Sequence, residues 1–172
     1  MPTIKAAIIG CGNLGKTHAE CIQQLEQMET VAYCDIFEPN ARKLLDRFGG
    51  KTATTDVDAL LSDSSIDAVY VTTQHDTHAD LCIRALEADK HVMVEKPMAM
   101  NVGECLRIGE TVKKTGKKLM TAYKMRYYNM LRKAKELIPV PVMVTMQMMD
   151  SRWGDALWAN DPVKGGGNVV SQ

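Results

Sequence analysis

Along the first 122 residues, short apolar blocks are separated by longer amphipathic segments. This pattern predicts β-strands that alternate with α-helices. The first apolar block, at 4–9, runs into a glycine turn and then an amphipathic segment. Further apolar blocks of strand length follow, each separated from the next by a helical pattern, at 30–34, 51–53, 67–72, 91–94 and 118–122. Strictly alternating strands and helices predict an α/β protein with a doubly wound parallel sheet.

The pattern changes after residue 122. An amphipathic helix is predicted at 130–138, and a strand at 142–149 whose one face is wholly apolar. A lone strand cannot cover such a face. We therefore expect a complete domain at 1–123 and the incomplete start of an α+β second domain at 124–172. The strands that complete it are expected from sequence beyond Gln172 or from another chain.

The first strand ends in Gly10, Gly12 and Gly15, spaced as in the dinucleotide-binding fingerprint. The first glycine makes a tight turn, the second lets backbone approach a pyrophosphate, and the third lets the helix pack closely on the strand. Asn13 and Leu14 open that helix, whose unpaired N–H groups favour a phosphate. An ordinary glycine-rich turn between a strand and a helix would have the same sequence pattern. The residue that ends the next strand distinguishes such a turn from a dinucleotide-binding one.

Asp35 ends the second strand, about twenty residues past Gly15, where the fingerprint expects an acid that holds the adenosine ribose. A carboxylate there repels the 2′-phosphate of NADP, and no arginine immediately follows it. The sequence therefore predicts a bound NAD rather than NADP.

The composition bounds the remaining possibilities. With 21 basic and 21 acidic residues the chain has no formal net charge, so nothing favours a nucleic acid or a membrane surface as partner. No apolar run reaches membrane-spanning length and the N-terminus lacks a signal-peptide pattern, which leads us to expect a cytoplasmic protein. The five cysteines are scattered and never spaced as a C-x-x-C pair, as expected of reduced, buried residues.

Polar residues cluster after the fourth and fifth predicted strands. Parallel sheets bind ligands at the carboxyl ends of their strands, so we expect a site at the edge that these residues share: Gly10, Asp35, Thr73, Lys96 and Tyr123. His75 and His78 are spaced to share a metal ion, but no third ligand lies nearby in sequence, and we predict no metal site.

These motifs together resemble the glucose-fructose oxidoreductase, inositol dehydrogenase and MocA family of nicotinamide-dependent oxidoreductases. The most specific piece is Glu95-Lys96-Pro97, which a generic Rossmann domain does not need. The resemblance implies a Rossmann fold, with Thr72, Thr73, His75 and His78 in the cofactor site. It also implies that Glu95 faces the nicotinamide and that Lys96 contacts both cofactor and substrate hydroxyl.

The chemistry of Lys96 agrees with that role. An ammonium beside a hydroxyl stabilises the alkoxide that develops as a hydride leaves, so we predict Lys96 as the catalytic residue. The alternative is an ordinary surface Glu-Lys turn. Candidate substrate contacts are Tyr123, Arg126 and Trp153, although an arginine between tyrosines is equally typical of a packed hinge between domains.

The end of the chain departs from the family pattern. The resemblance implies an Asp where Ser171 stands and a His four residues further on, past Gln172. We therefore expect this chain to bind a dinucleotide better than it turns over substrate. The predicted function is hydride transfer between NAD and a sugar, polyol or related cyclic alcohol, in a homo-oligomer formed through the second domain. The alternatives are a non-catalytic dinucleotide sensor and an NAD-dependent glycosidase.

Overall fold

A computed structural model describes residues 2–145, 147, 154 and 157–166. Six parallel strands form one sheet in the order β3-β2-β1-β4-β5-β6. The strands are β1 (Ile4–Ile9), β2 (Met28–Cys34), β3 (Thr52–Thr54), β4 (Ala68–Val71), β5 (His91–Val94) and β6 (Leu119–Thr121). The helices are α1 (Asn13–Ile22), α2 (Glu38–Phe48), α3 (Val57–Ser62), α4 (His78–Glu87), α5 (Val102–Thr115) and α6 (Asn129–Leu137). The prediction of a doubly wound Rossmann sheet is confirmed.

The apolar strands form this sheet because both of its faces are covered. Alternate residues of β1 face opposite sides: Ile8 belongs to a cluster with residues of α1 and α2, whereas Ala7 and Ile9 belong to a larger cluster with residues of α3, α4 and α5. Val69 and Val94, on the neighbouring strands, are fully buried. Strands covered on both faces read as continuous apolar runs rather than alternating ones.

The ends of α5 show how local chemistry sets its limits. The side chain of Asn101 accepts a hydrogen bond from the N–H of Glu104 at 3.0 Å, and the carboxylate of Glu104 accepts one from the N–H of Met100 at 2.9 Å. Gly116 ends the helix in the left-handed conformation, with φ of 69°. The predicted helix, from Asn101 as cap to Gly116, is confirmed.

The strand predicted at 142–149 is wrong for the residues that the structure describes. Residues 142–145 and Gln147 form no strand, and Val142 and Met143 are exposed. A strand depends on hydrogen bonds to a neighbouring strand, and no described residue pairs with this stretch. Met146, Met148 and Met149 lie outside the described residues. The predicted helix before this stretch is confirmed as α6, but none of its residues is buried.

Residues 157–166 fold back onto the carboxyl end of the sheet. They contain a 3₁₀ turn (Trp158–Asn160), and the backbone of Gly165 packs so closely on buried Ala159 that no side chain would fit there. The N–H of Asp76 donates a hydrogen bond to the carbonyl of Lys164 at 3.3 Å. Among the described residues, no helix is both long enough and apolar enough to cross a membrane.

Candidate functional site

A cavity of about 760 Å³ lies at the carboxyl edge of the sheet. Its volume falls within the range of small-molecule sites in proteins. Ten of the residues predicted from the sequence line it: Gly10, Gly12, Asn13, Leu14, Asp35, Thr72, Thr73, His75, Glu95 and Lys96. They come from the ends of β1, β2, β4 and β5, so the parallel arrangement of the sheet brings together residues far apart in sequence.

The three glycines of the first turn have different surroundings. Gly10 has φ of 96°, and a Cβ there would lie 2.7 Å from the backbone of Thr72. A Cβ on Gly15 would collide with the carbonyl oxygen of Gly10. Around Gly12, in contrast, no atom lies within 4 Å of the position a Cβ would take. The first and third glycines are therefore required by packing, and the second leaves open space for a ligand.

The N-terminus of α1 fits an anionic group. Gly12 is the N-cap residue, no side chain caps the helix, and no acidic residue lies in the first turn. The first N–H groups of a helix lack partners within it, and they carry the positive end of the helix dipole. Because Asn13 and Leu14 line the cavity, this helix end suits the pyrophosphate of a dinucleotide.

The carboxylate of Asp35 is held in place at the end of β2. It accepts hydrogen bonds from the N–H of Cys11 at 2.7 Å and from the N–H of Phe37 at 2.9 Å. Burial, and then the charge of Asp35, raise the pKa of the Cys11 thiol to about 12, so this cysteine is neutral and not a nucleophile. A fixed carboxylate at this edge suits a ribose diol.

Thr72 joins the glycine turn to β4. Its hydroxyl lies 2.5 Å from the carbonyl oxygen of Gly10 and 3.1 Å from that of Ile9. The hydroxyls of Thr73 and Thr77 lie 2.7 Å apart. Thr72, Thr73 and Thr77 all line the cavity, so these contacts fix that part of its wall.

Glu95 and Lys96 follow β5 directly and line the same cavity. One carboxylate oxygen of Glu95 lies 2.8 Å from Nε2 of His18, and the other accepts a hydrogen bond from the N–H of Lys96 at 3.2 Å. Burial raises the pKa of the Glu95 carboxyl, but the hydrogen bond and charge of His18, together with the N–H and charge of Lys96, hold it below its ordinary value. Glu95 is therefore an ionised carboxylate beside a cation.

His75 and His78 have different positions. His75 lines the cavity, and its Nδ1 lies 2.9 Å from the carbonyl oxygen of Gly165. His78 is fully buried and does not line the cavity; its ring nitrogens lie 2.7 Å and 3.2 Å from the carbonyl oxygens of Pro97 and Thr73. Burial lowers the pKa of both histidines. Within the described ranges, no three His, Cys, Asp or Glu side chains are grouped to hold a metal ion.

Two parts of the site were not among the predicted site residues, although one of them, His18, belongs to the glycine motif on which the family resemblance rests. His18 lies three residues after Gly15 on the packed face of α1, and that spacing is the signal that could have marked it. Trp158 and its neighbours line the cavity, with the Trp158 ring edge-on to His75 at 4.7 Å, and no local pattern predicts this contact.

Two of the three predicted substrate contacts do not lie at this cavity. Tyr123 and Arg126 follow β6 and do not line it. Trp153 lies outside the described residues.

Residues 4–123 match the model of the oxidoreductase family with an NAD-binding Rossmann fold, the Gfo/Idh/MocA family. The match covers more than half of the chain and includes every residue that the sheet contributes to the cavity. The chain therefore belongs to this family, and residues 4–123 are its NAD-binding Rossmann domain.

The chain is also similar to individual dehydrogenases that act on inositols. The chain is 33% identical over 129 residues to an inositol 2-dehydrogenase of Salmonella typhimurium, which is 74% of this chain and 38% of that enzyme. A scyllo-inositol dehydrogenase from Lactobacillus casei, solved with NAD(H) and scyllo-inositol, has a TM-score of 0.75 at 26% identity and covers 80% of this chain and 41% of its own.

A 3-ketoreductase from Actinomadura kijaniata, solved with NADP and TDP-benzene, has a TM-score of 0.87 over 98% of this chain and 54% of its own. At 23% identity, this similarity shows the fold alone. The chain spans less than half the length of the curated relatives it matches.

Proposed function

We propose that the protein is an NAD-dependent dehydrogenase that transfers hydride between a cyclic polyol and nicotinamide. One observation carries this proposal: the uncapped N-terminus of α1, the fixed carboxylate of Asp35 and the side chain of Lys96 all line one cavity. These groups suit a pyrophosphate, a ribose diol and a substrate hydroxyl, respectively.

In the proposed reaction, the N-terminus of α1 and Asp35 bind the cofactor, and Lys96 acts on the substrate. When bound, NAD supplies the acceptor for the hydride. The N–H groups at the start of α1 bind the pyrophosphate, and Asp35 accepts hydrogen bonds from the adenosine ribose. The ammonium of Lys96 donates a hydrogen bond to the substrate oxygen and stabilises the negative charge that forms there as the hydroxyl proton passes to water.

The substrate class is suggested by the relatives rather than by the cavity. The Salmonella and Lactobacillus proteins are named for inositols, so we propose an inositol or a similar ring polyol as substrate. A cytoplasmic location and a homo-oligomer formed through residues 124–172 complete the proposal. The five free cysteines support the location, and the exposed apolar residues of that part, such as Val140 and Val142, support the oligomer.

Formation of NADH by the native protein, measured with a panel of inositols, other polyols and sugars, tests this function. Hydride transfer to NAD from at least one ring polyol is expected. Lys96→Met should leave the NAD affinity nearly unchanged and lower kcat at least about a hundredfold, because it removes the cation beside the reacting oxygen.

Two results would contradict the proposal. Tight NAD binding without hydride transfer to or from any member of the panel would indicate a dinucleotide sensor. Hydrolysis of a glycoside without net NADH would indicate the glycosidase alternative.

A further inference from the structure

His18 connects two parts of the cavity that the proposed function treats separately. It lies on α1, the helix whose N-terminus faces the proposed pyrophosphate position. Its Nε2 lies 2.8 Å from the Glu95 carboxylate at the end of β5, 77 residues away in sequence. His18 itself does not line the cavity, whereas Glu95 does.

The two side chains are largely withdrawn from water. The side chain of His18 is 19% exposed and that of Glu95 is 11% exposed. The imidazole also lies against the ring of Tyr70 on β4, with ring centroids 5.5 Å apart. A largely buried carboxylate needs hydrogen-bond donors to remain ionised. Water and salt screen the interaction within a largely buried pair less than that within a surface pair.

The charged and titratable groups around Glu95 come from several elements. His18 faces it from α1, Lys96 follows it in the chain, and His75 and His78 lie near it on the side of α4. Burial lowers the pKa of His75 and of His78, so both are neutral at pH 7. The groups that stabilise the Glu95 carboxylate by charge or by hydrogen bonding are therefore His18 and Lys96.

We propose that His18 is a positioning residue that holds the Glu95 carboxylate ionised and fixed beside Lys96. Through this contact, helix α1, whose N-terminus receives the pyrophosphate, also sets the environment of Lys96, the residue that contacts the substrate oxygen. The inference rests on the proposed function for the role of Lys96, but the contact between His18 and Glu95 is tested independently of any turnover.

Two substitutions separate hydrogen bonding from packing. His18→Phe keeps a ring against Tyr70 and removes the donor, whereas His18→Gln keeps an N–H donor at a similar distance along the side chain. His91→Gln is the matched control, because His91 is exposed and lies at the opposite end of β5.

The first measurement is a carbon-13 NMR titration of the Glu95 carboxyl in the 172-residue chain, with its signal assigned by Glu95→Gln. In His18→Phe the proton affinity of this carboxyl should rise at least about tenfold, because the burial penalty then lacks its main opposition. His18→Gln should keep most of the original titration, and His91→Gln should not change it.

The second measurement is the pH profile of NADH formation in the native protein. His18→Phe should lower kcat and move the acidic limb of the profile to higher pH, with NAD affinity at alkaline pH little changed. His18→Gln should keep kcat and the acidic limb close to those of the wild-type protein. A structural role alone would change stability without moving the limb.

Three results would overturn the inference. They are an unchanged Glu95 titration in His18→Phe, a His18→Gln variant that behaves like His18→Phe, and a shifted titration with an unchanged pH profile. If His18→Phe does not fold, His18→Leu carries the same expectations. Failure of the wild-type protein to form NADH would refute the proposed function, whereas the Glu95 titration would still decide whether His18 holds the carboxylate.

Discussion

Two stretches of this chain have similar valine-rich patterns but different structures. Val69 and Val71 in β4 are fully buried, whereas Val140 and Val142 after α6 are 85% and 104% exposed. β4 is hydrogen-bonded to β1 on one side and to β5 on the other. Residues 142–145 have no strand neighbour among the described residues. An apolar pattern thus becomes a strand only where the rest of the chain supplies pairing partners and covering helices.

The largest difference between the two regions should appear on truncation of matched leucines. Leu86 on α4 is fully buried and Leu137 on α6 is 69% exposed. Leu86→Ala should lower the free energy of unfolding by about 3 kcal/mol, because it leaves a cavity in the core. Leu137→Ala should change it by less than about 0.5 kcal/mol. Urea unfolding followed by circular dichroism measures both, and equal losses would refute the comparison.

Substitution of two glycines in the first turn should have different effects, one on the stability of the fold and the other on NAD affinity. Gly15→Ala forces a methyl group against the Gly10 carbonyl, so the free energy of unfolding should fall by about 2 kcal/mol. Gly12→Ala meets no protein atom and should cost less than about 1 kcal/mol as a poorer N-cap. Its methyl group occupies the approach to the helix N-terminus, so NAD affinity should fall at least about tenfold.

Denaturant unfolding and NAD titration of both variants check this pair. A Gly12→Ala protein that binds NAD as tightly as wild type would move the pyrophosphate away from this turn.

The contact between His75 and Gly165 should determine how firmly residues 157–166 are docked. His75→Phe keeps the ring packing on Trp158 and removes the hydrogen bond to the Gly165 carbonyl. The loss of about 1 kcal/mol should speed hydrogen exchange of the Asp76 amide, which donates to the neighbouring Lys164 carbonyl, about fivefold. Exchange at Val69, in the core, should not change, and equal acceleration at both amides would show global destabilisation instead.

Acidification should weaken the Rossmann domain gradually. Burial holds the pKa of His75 and of His78 below the ordinary value, so below that value the unfolded chain binds protons more readily than the folded one. Their contribution to stability is complete above about pH 6.5 and is lost as the pH falls below it. Thermal unfolding across this range should show a falling Tm, with a shallower slope in His75→Phe. A Tm independent of pH would contradict this account.

The local sequence was sufficient for much of the fold. The bounds of β1 and β5 agree with the prediction to the residue, because each is a short apolar run that ends at a glycine turn or a charged pair. The carboxyl ends of parallel strands share one edge, so the predicted cofactor residues converge without further information. The division of the chain at residue 123 stays a prediction.

The features that the sequence did not predict are contacts between distant residues. His18 meets Glu95, and Trp158 meets His75, across 77 and 83 residues of chain. Periodicity describes which face of an element is apolar, not which polar side chain meets it from another element. At residues 142–145 and 147 the expected strand was predicted wrongly for the same reason, since its pattern carries no information on a partner strand.

We propose that the glycine turn and Asp35 make this cavity a site for NAD. Calorimetric titration of NAD and NADP into the purified chain is the strongest test of this assignment. We expect that NAD binds and that NADP binds at least about tenfold more weakly, because the Asp35 carboxylate repels a 2′-phosphate. Asp35→Ser should remove most of that preference. Equal affinities for NAD and NADP in the wild-type chain, or no binding of either, would contradict it.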